Sequence, residues 1–300
     1  MRFRIGAEPK ILLRSTDNLA TKAISIFAKP AEYWQRRRHL FRGSSLIRGD
    51  QIAEHIGAKL NPTCGYKNDV CIYVKPPGKP ELYDYELHGT PYIDIVDGEG
   101  IIVYLLRHPE IPVIVNSIHD NEYLKSILKN EVVLIPQQHC NFDRERRTRQ
   151  GIKTVATIGT PAGFAQFPEG IADKLKDRGL EWMMYDGFAT RHDVVDFYHK
   201  IDVQVIWRTR KQPLVNALST INAMSYGIPT IAFQEDVFDM ELDGYYFPAK
   251  TLDDLLAQLD RFSTSESFYN ETAEKISTKA EEYHIDNIGE MYKELARREN

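Results

Sequence analysis

The stretch between Trp207 and Pro229 gathers side chains suited to a phosphorylated ligand. Arg208, Arg210 and Lys211 follow a β-branched run and precede an amphipathic segment, residues 215–225, that reads as a helix. The first turn of a helix exposes unpaired amides with partial positive charge, and basic side chains beside it suit a diphosphate. Arg208 and Lys211 are therefore the diphosphate candidates, against the plainer reading of a solvated pair. Asn216, at the helix start, could help hold phosphate, while Ser219 could simply pack. A second small-residue turn, Gly159-Thr160, follows another strand-like run, and its amides could approach the same phosphates or serve only as a strand–helix turn.

The first half offers a different chemistry. Asp97 ends the segment YIDIVDG, where a carboxylate could orient an acceptor hydroxyl or accept its proton, or could cap the helix that follows. His119 and Asp120 follow the next strand; His119 is the catalytic candidate and Asp120 reads as a helix N-cap. His139 and Asn141 fall near the expected domain edge. Arg36, Arg37, Arg38, Arg42 and Arg48 lie close together with Trp34 and Phe41 between them. That pattern reads either as a solvated helix face or as recognition of an anionic acceptor such as a phosphate, a lipid-linked pyrophosphate or a nucleic acid. Arg42, Arg48 and His139 are the acceptor-side candidates.

These residues need a scaffold that brings strand ends together. Short β-branched runs alternate with amphipathic stretches along most of the chain, which predicts α/β architecture with parallel sheets. Strands are expected at residues 22–28, 70–75, 92–96, 112–116 and 131–135, then at 154–158, 181–185, 203–207 and 229–233. Helices are expected at 47–57, 100–108 and 121–128, then at 168–178, 191–199, 215–225 and 252–262. The charged, weakly apolar DRERRTRQGIK (residues 143–153) separates the two halves and also reads as a solvated linker. The expected division is residues 1–145, 146–280 and a closing helix at 281–300. Two such units give two Rossmann-like sheets with ligands outside the carboxyl ends of their strands.

Bulk properties narrow the class. The 300 residues suffice for two ordinary domains, and 42% hydrophobic with 27% charged residues is usual for a globular chain. No apolar run reaches the roughly 20 residues of a membrane span, and the N-terminal MRFRIGAEPK lacks the apolar core of a secretory signal. Three scattered cysteines suggest neither a disulfide framework nor a zinc site, so a cytoplasmic location is expected. The net charge of −5 argues against general nucleic-acid binding.

Several segments carry a resemblance. FYHKIDVQVIW (197–207), NAMSYGIPTIA (222–232) and TLDDLLAQL (251–259) resemble, in order and spacing, the second-domain segments of retaining, glycogen-synthase-like GT-B glycosyltransferases. VIVNSIHDNEYL (113–124) and VVLIPQQHCNF (132–142) resemble first-domain elements of the same family more loosely. The matches touch about two thirds of the chain. The resemblance implies two Rossmann-like domains facing a cleft, with a C-terminal helix crossing back to the first. It implies a nucleotide-sugar donor (UDP- or GDP-sugar), transfer with retention, no metal and no bound cofactor; no Asp-x-Asp motif stands in a donor-like position. The loop with Gly187 and Phe188 would lie against the base, beside Gly159 and Thr160 on the phosphates.

One departure is specific. The family carries two glutamates eight positions apart, one on the donor sugar and one on the ribose. The matching positions here are Leu214 and Asn222. Asn222 could still bond a ribose hydroxyl, whereas Leu214 cannot bind a sugar. The family's Arg/Lys pair after the first strand of the second domain is replaced by GTPAGFAQ (159–166). The expected activity is sugar transfer from a nucleotide sugar to an unidentified acceptor. The alternatives are a DNA- or nucleotide-modifying glycosyltransferase, a GT-B-shaped nucleotide-sugar-binding protein without transfer, and a sugar-nucleotide epimerase.

Overall fold

A computed structural model describes residues 22–28, 43–76, 87–146, 151–210 and 212–299. Trp34, Arg36, Arg37, Arg38, Phe41, Arg42 and Lys211 lie outside the described residues.

The β-branched runs form two parallel sheets. The first contains β1 (Ile24–Ala28), β2 (Lys59–Leu60), β3 (Val70–Val74), β4 (Thr90–Asp94), β5 (Val113–Val115) and β6 (Val132–Leu134), in the order β2-β1-β3-β4-β5-β6. The second contains β7 (Thr154–Ile158), β8 (Glu181–Tyr185), β9 (Val203–Ile206), β10 (Thr230–Phe233) and β11 (Phe247–Ala249), in the order β11-β10-β9-β7-β8. This is the GT-B arrangement of two Rossmann-like sheets. Among the described residues no helix is long and apolar enough to cross a membrane.

Two strands and two helices escape a reading of sequence pattern. β2 has two residues, too few for any alternation, and β11 contains Pro248, which only an edge strand tolerates. The Pro161–Phe164 helix is a single turn. The Asp236–Leu242 helix begins at Glu235, whose side chain makes no capping bond, so the usual start signal is missing. The helix expected from residue 215 begins instead at Leu218. Asn216 Oδ1 accepts a bond from the Leu218 amide at 3.1 Å, and both backbone groups of Val215 bond to the other domain, so the chain stays outside the helix through Ala217. Gly227 then ends that helix with φ +67°, a conformation that favours glycine, and the chain turns into β10.

The closing helix, Ile285–Arg298, is last in sequence but packs on the first sheet. Ile285, Ile288, Tyr292 and Leu295 form a stripe at helical spacing and join β1 and β3 residues in one apolar core. Gly289 lets it approach the Ile52–Ile56 helix closely, since a Cβ there would stand 2.7 Å from the His55 ring. Tyr292 donates to Asp94 Oδ2 at 3.0 Å, fastening the helix to the carboxyl end of β4.

Candidate functional site

In the second sheet β8 and β9 lie on opposite sides of β7, so the loops leaving β7 and β9 diverge. A crevice forms at such a switch in strand order. Here it is a cavity of about 360 Å³ lined by Gly159 and Thr160 after β7, Trp207 and Arg208 after β9, and Asn216 and Ser219 at the head of the Leu218–Ser225 helix. Gln166 Oε1 holds the β9 loop in place by accepting from the amides of Thr209 and Arg210 at 2.9 and 3.2 Å. Thr160 caps the single-turn helix after it, and Asn216 is engaged with the Leu218 amide. Trp207 is mostly buried, edge-on to Phe233, and forms part of the cavity wall.

Arg208 is held rather than free. Nε donates to Glu235 Oε1 at 2.9 Å, Nη1 reaches the Asn216 carbonyl at 3.4 Å, and the guanidinium lies over the Phe238 ring. Its Nη2 is buried with no hydrogen-bond partner among the described residues.

A second cavity, about 220 Å³, crosses the interdomain cleft. Phe188, Thr190 and Asn222 line it from the second domain, Leu46 and Gln138 from the first, and it meets the larger cavity at Ile158 and Ser219. Gly187 lies under the Tyr185 ring and outside this lining. Asn222 Oδ1 accepts from the Cys140 amide at 2.8 Å, so this side chain also ties the domains together.

A third cavity, about 240 Å³, shares Arg208, Arg210 and Gln212 with the first and adds Glu235 from the second domain and His119 from the other. His119 Nδ1 lies 3.1 Å from Asp120 Oδ1. Asp120 is not the N-cap of its helix; Ser117 is, its Oγ accepting from the Asp120 amide. The buried Asp120 carboxylate instead accepts from the Val215 amide across the domain boundary at 3.1 Å. The first-domain amide of Ile118 likewise donates to Glu241 of the second domain at 2.8 Å. Sequence spacing gives no hint of Glu235, Glu241 or Gln166, because each acts through a contact with a distant segment.

Three first-domain candidates lie away from these cavities. Asp97 stands three residues beyond the end of β4, neither caps the next helix nor lines any of these three cavities, and pairs with Lys75. Arg48 is fully buried: it bonds Asp94 at 2.7 Å and the carbonyls of Ile135 and Pro136, which leaves no surface for an acceptor. It lies in a π-helical stretch, Ser45–Gln51, in which Arg48 and Gly49 are the buried residues. His139 is buried edge-on to His284.

Burial, reinforced by the neighbouring His284, pushes the His139 imidazole down from 6.5 to about 3. The unfolded chain then takes up a proton near pH 6.5 that the folded chain refuses until about pH 3. Stability from this residue is thus complete above pH 6.5 and lost as the pH falls through that window, by at most about 1.4 kcal/mol per unit. Urea midpoints at pH 7, 6, 5 and 4 should fall less steeply for His139→Gln than for the wild type.

Leu214 occupies an unexpected place. It is 2% exposed and packs into the first domain's core with Ile93, Val113 and Leu124. The position at which the resembling family carries its sugar-binding glutamate is here an apolar plug in the opposite domain.

No family model matches the sequence, and no curated protein sequence matches it. Solved structures do match the fold. A glycosyltransferase from Rickettsia africae ESF-5 aligns over 92% of this chain and 98% of its own, with a TM-score of 0.60 at 9% identity. Anabaena Alr3699/HepE in complex with UDP aligns over 92% and 100%, with a TM-score of 0.53 at 10% identity. TarM gives a TM-score of 0.55 at 15% identity over 77% of this chain, which spans only 55% of TarM. The class defined by these likenesses is the GT-B fold.

Proposed function

We propose that the protein is a glycosyltransferase that takes a sugar from a nucleotide sugar and passes it to an acceptor hydroxyl. The observation that carries this reading is the cavity at the strand-order switch of the second sheet, walled by a strand–helix loop, a helix head and Arg208. A diphosphate fits that lining, because its charge meets a guanidinium donor and the amides of the first helical turn. The connected cavity with Phe188 and Asn222 has an aromatic wall and a polar amide suited to a nucleoside. One neighbour of this fold was solved with UDP and with UDP and glucose.

In the transfer, the bond between the sugar C1 and the diphosphate oxygen breaks and its electron pair leaves with the diphosphate. A bond forms from C1 to the acceptor oxygen, whose proton is released. Arg208 and the helix amides would stabilise the departing charge. Retention of configuration without a metal is what the family resemblance implies.

A thermal-shift panel with UDP, GDP, ADP and their sugars tests the reading. At least one nucleoside diphosphate should raise the melting temperature, and its sugar derivative should be hydrolysed slowly without acceptor. No shift with any nucleotide would sink it. The burial of Leu214 favours a second reading, nucleotide-sugar binding without transfer, which predicts the same shift with no turnover.

A further inference from the structure

With Leu214 buried in the first domain, the donor sugar needs another carboxylate, and the third cavity holds one. Glu235 follows β10 and immediately precedes the Asp236–Leu242 helix, the position of an N-cap, yet its side chain bonds none of the helix amides. Its side chain turns to Arg208 instead and lines the cavity opposite His119. Its bond to the guanidinium is made through Oε1, and the residue stays partly open to the cavity. Burial pushes its carboxyl upward, against the downward pull of Arg208, and His119 is close enough to act on it.

We propose that this cavity is the sugar compartment of the site and that Glu235 and His119 bind the sugar hydroxyls from opposite walls. The inference rests on the nucleotide-sugar reading above. Two features specify the ligand class. The cavity shares Arg208, Arg210 and Gln212 with the diphosphate cavity, so a group bonded to a diphosphate there extends directly into it. Its lining mixes a carboxylate, an imidazole, a guanidinium and the carboxamides of Gln212 and Gln234, a set that both donates to and accepts from hydroxyls. A volume of about 240 Å³ is adequate for one hexose. Glu235 would thereby supply the carboxylate that the position of Leu214 no longer provides.

The test compares UDP with UDP-glucose, GDP with GDP-mannose and ADP with ADP-glucose by calorimetric titration. In the wild type the sugar form of one pair should bind about tenfold or more tighter than its diphosphate. Glu235→Gln should still bind the diphosphate and lose the sugar increment measured within each pair. His119→Gln, on the other domain, should lose it too and covers the case in which release of Arg208 unfolds the Glu235 variant. An increment that persists in a folded Glu235→Gln or His119→Gln protein overturns this inference while nucleotide binding still stands. Failure of the wild type to bind any of the six ligands overturns the nucleotide-sugar reading and this inference with it.

Discussion

Replacing Leu214 by glutamate, which restores the carboxylate of the resembling family, should cost the protein most of its stability. Leu214 is 2% exposed in the first domain's core. Leu214→Ala alone should lose about 2–5 kcal/mol by removing buried methyl groups and leaving a cavity. Leu214→Glu adds the burial of a carboxylate without a partner, so the segment must withdraw from the core to hydrate it. That withdrawal also strains the bonds of Val215 to Ser117 and Asp120. Urea denaturation followed by circular dichroism should show Leu214→Glu less stable than Leu214→Ala. A glutamate variant as stable as the wild type would mean that Leu214 is not held in that core in solution.

The second large effect is expected at Arg48. Arg48→Met should destabilise by about 3–5 kcal/mol, because it leaves Asp94 as a buried carboxylate bonded by the Tyr292 hydroxyl but without its guanidinium. The double variant Arg48→Met with Asp94→Leu should recover a good part of that loss, since an apolar pair of similar volume tolerates burial far better than a lone charge. Chemical denaturation of the two variants and the wild type decides the point. A surface acceptor-binding arginine would give no such loss and no such recovery.

The fold was legible where local pattern and tertiary structure agree. Glu181–Tyr185 and Thr154–Ile158 are strands by β-branched and aromatic content and pair residue for residue as β8 and β7. The Arg191–Lys200 helix announces itself through the Thr190–Asp193 capping box. The start of the Leu218–Ser225 helix was not legible, because contacts with the first domain hold Val215 outside the helix. Arg48 misleads for a related reason: an arginine among arginines reads as surface, and only the position of Asp94, 46 residues away, shows otherwise. Arg208 could be picked out by its place after β9, whereas its commitment to Glu235 could not, since the two are 27 residues apart on separate loops. Sequence pattern thus marks which strand ends face the cleft, and long-range contacts decide which side chains remain available there.

The closing helix has a consequence for how the chain is made. The first sheet has all its strands by Leu134, but its core still lacks Ile288, Tyr292 and Leu295. About 150 further residues, including the entire second sheet, must be translated before they appear. At roughly 5–20 residues per second, the nascent first domain waits on the order of 10–30 s with an apolar face open and Asp94 short of its hydroxyl partner. The strands of the second sheet, by contrast, are all present by Ala249. The half synthesised first is therefore completed last, and that interval is when the emerging chain most needs a chaperone.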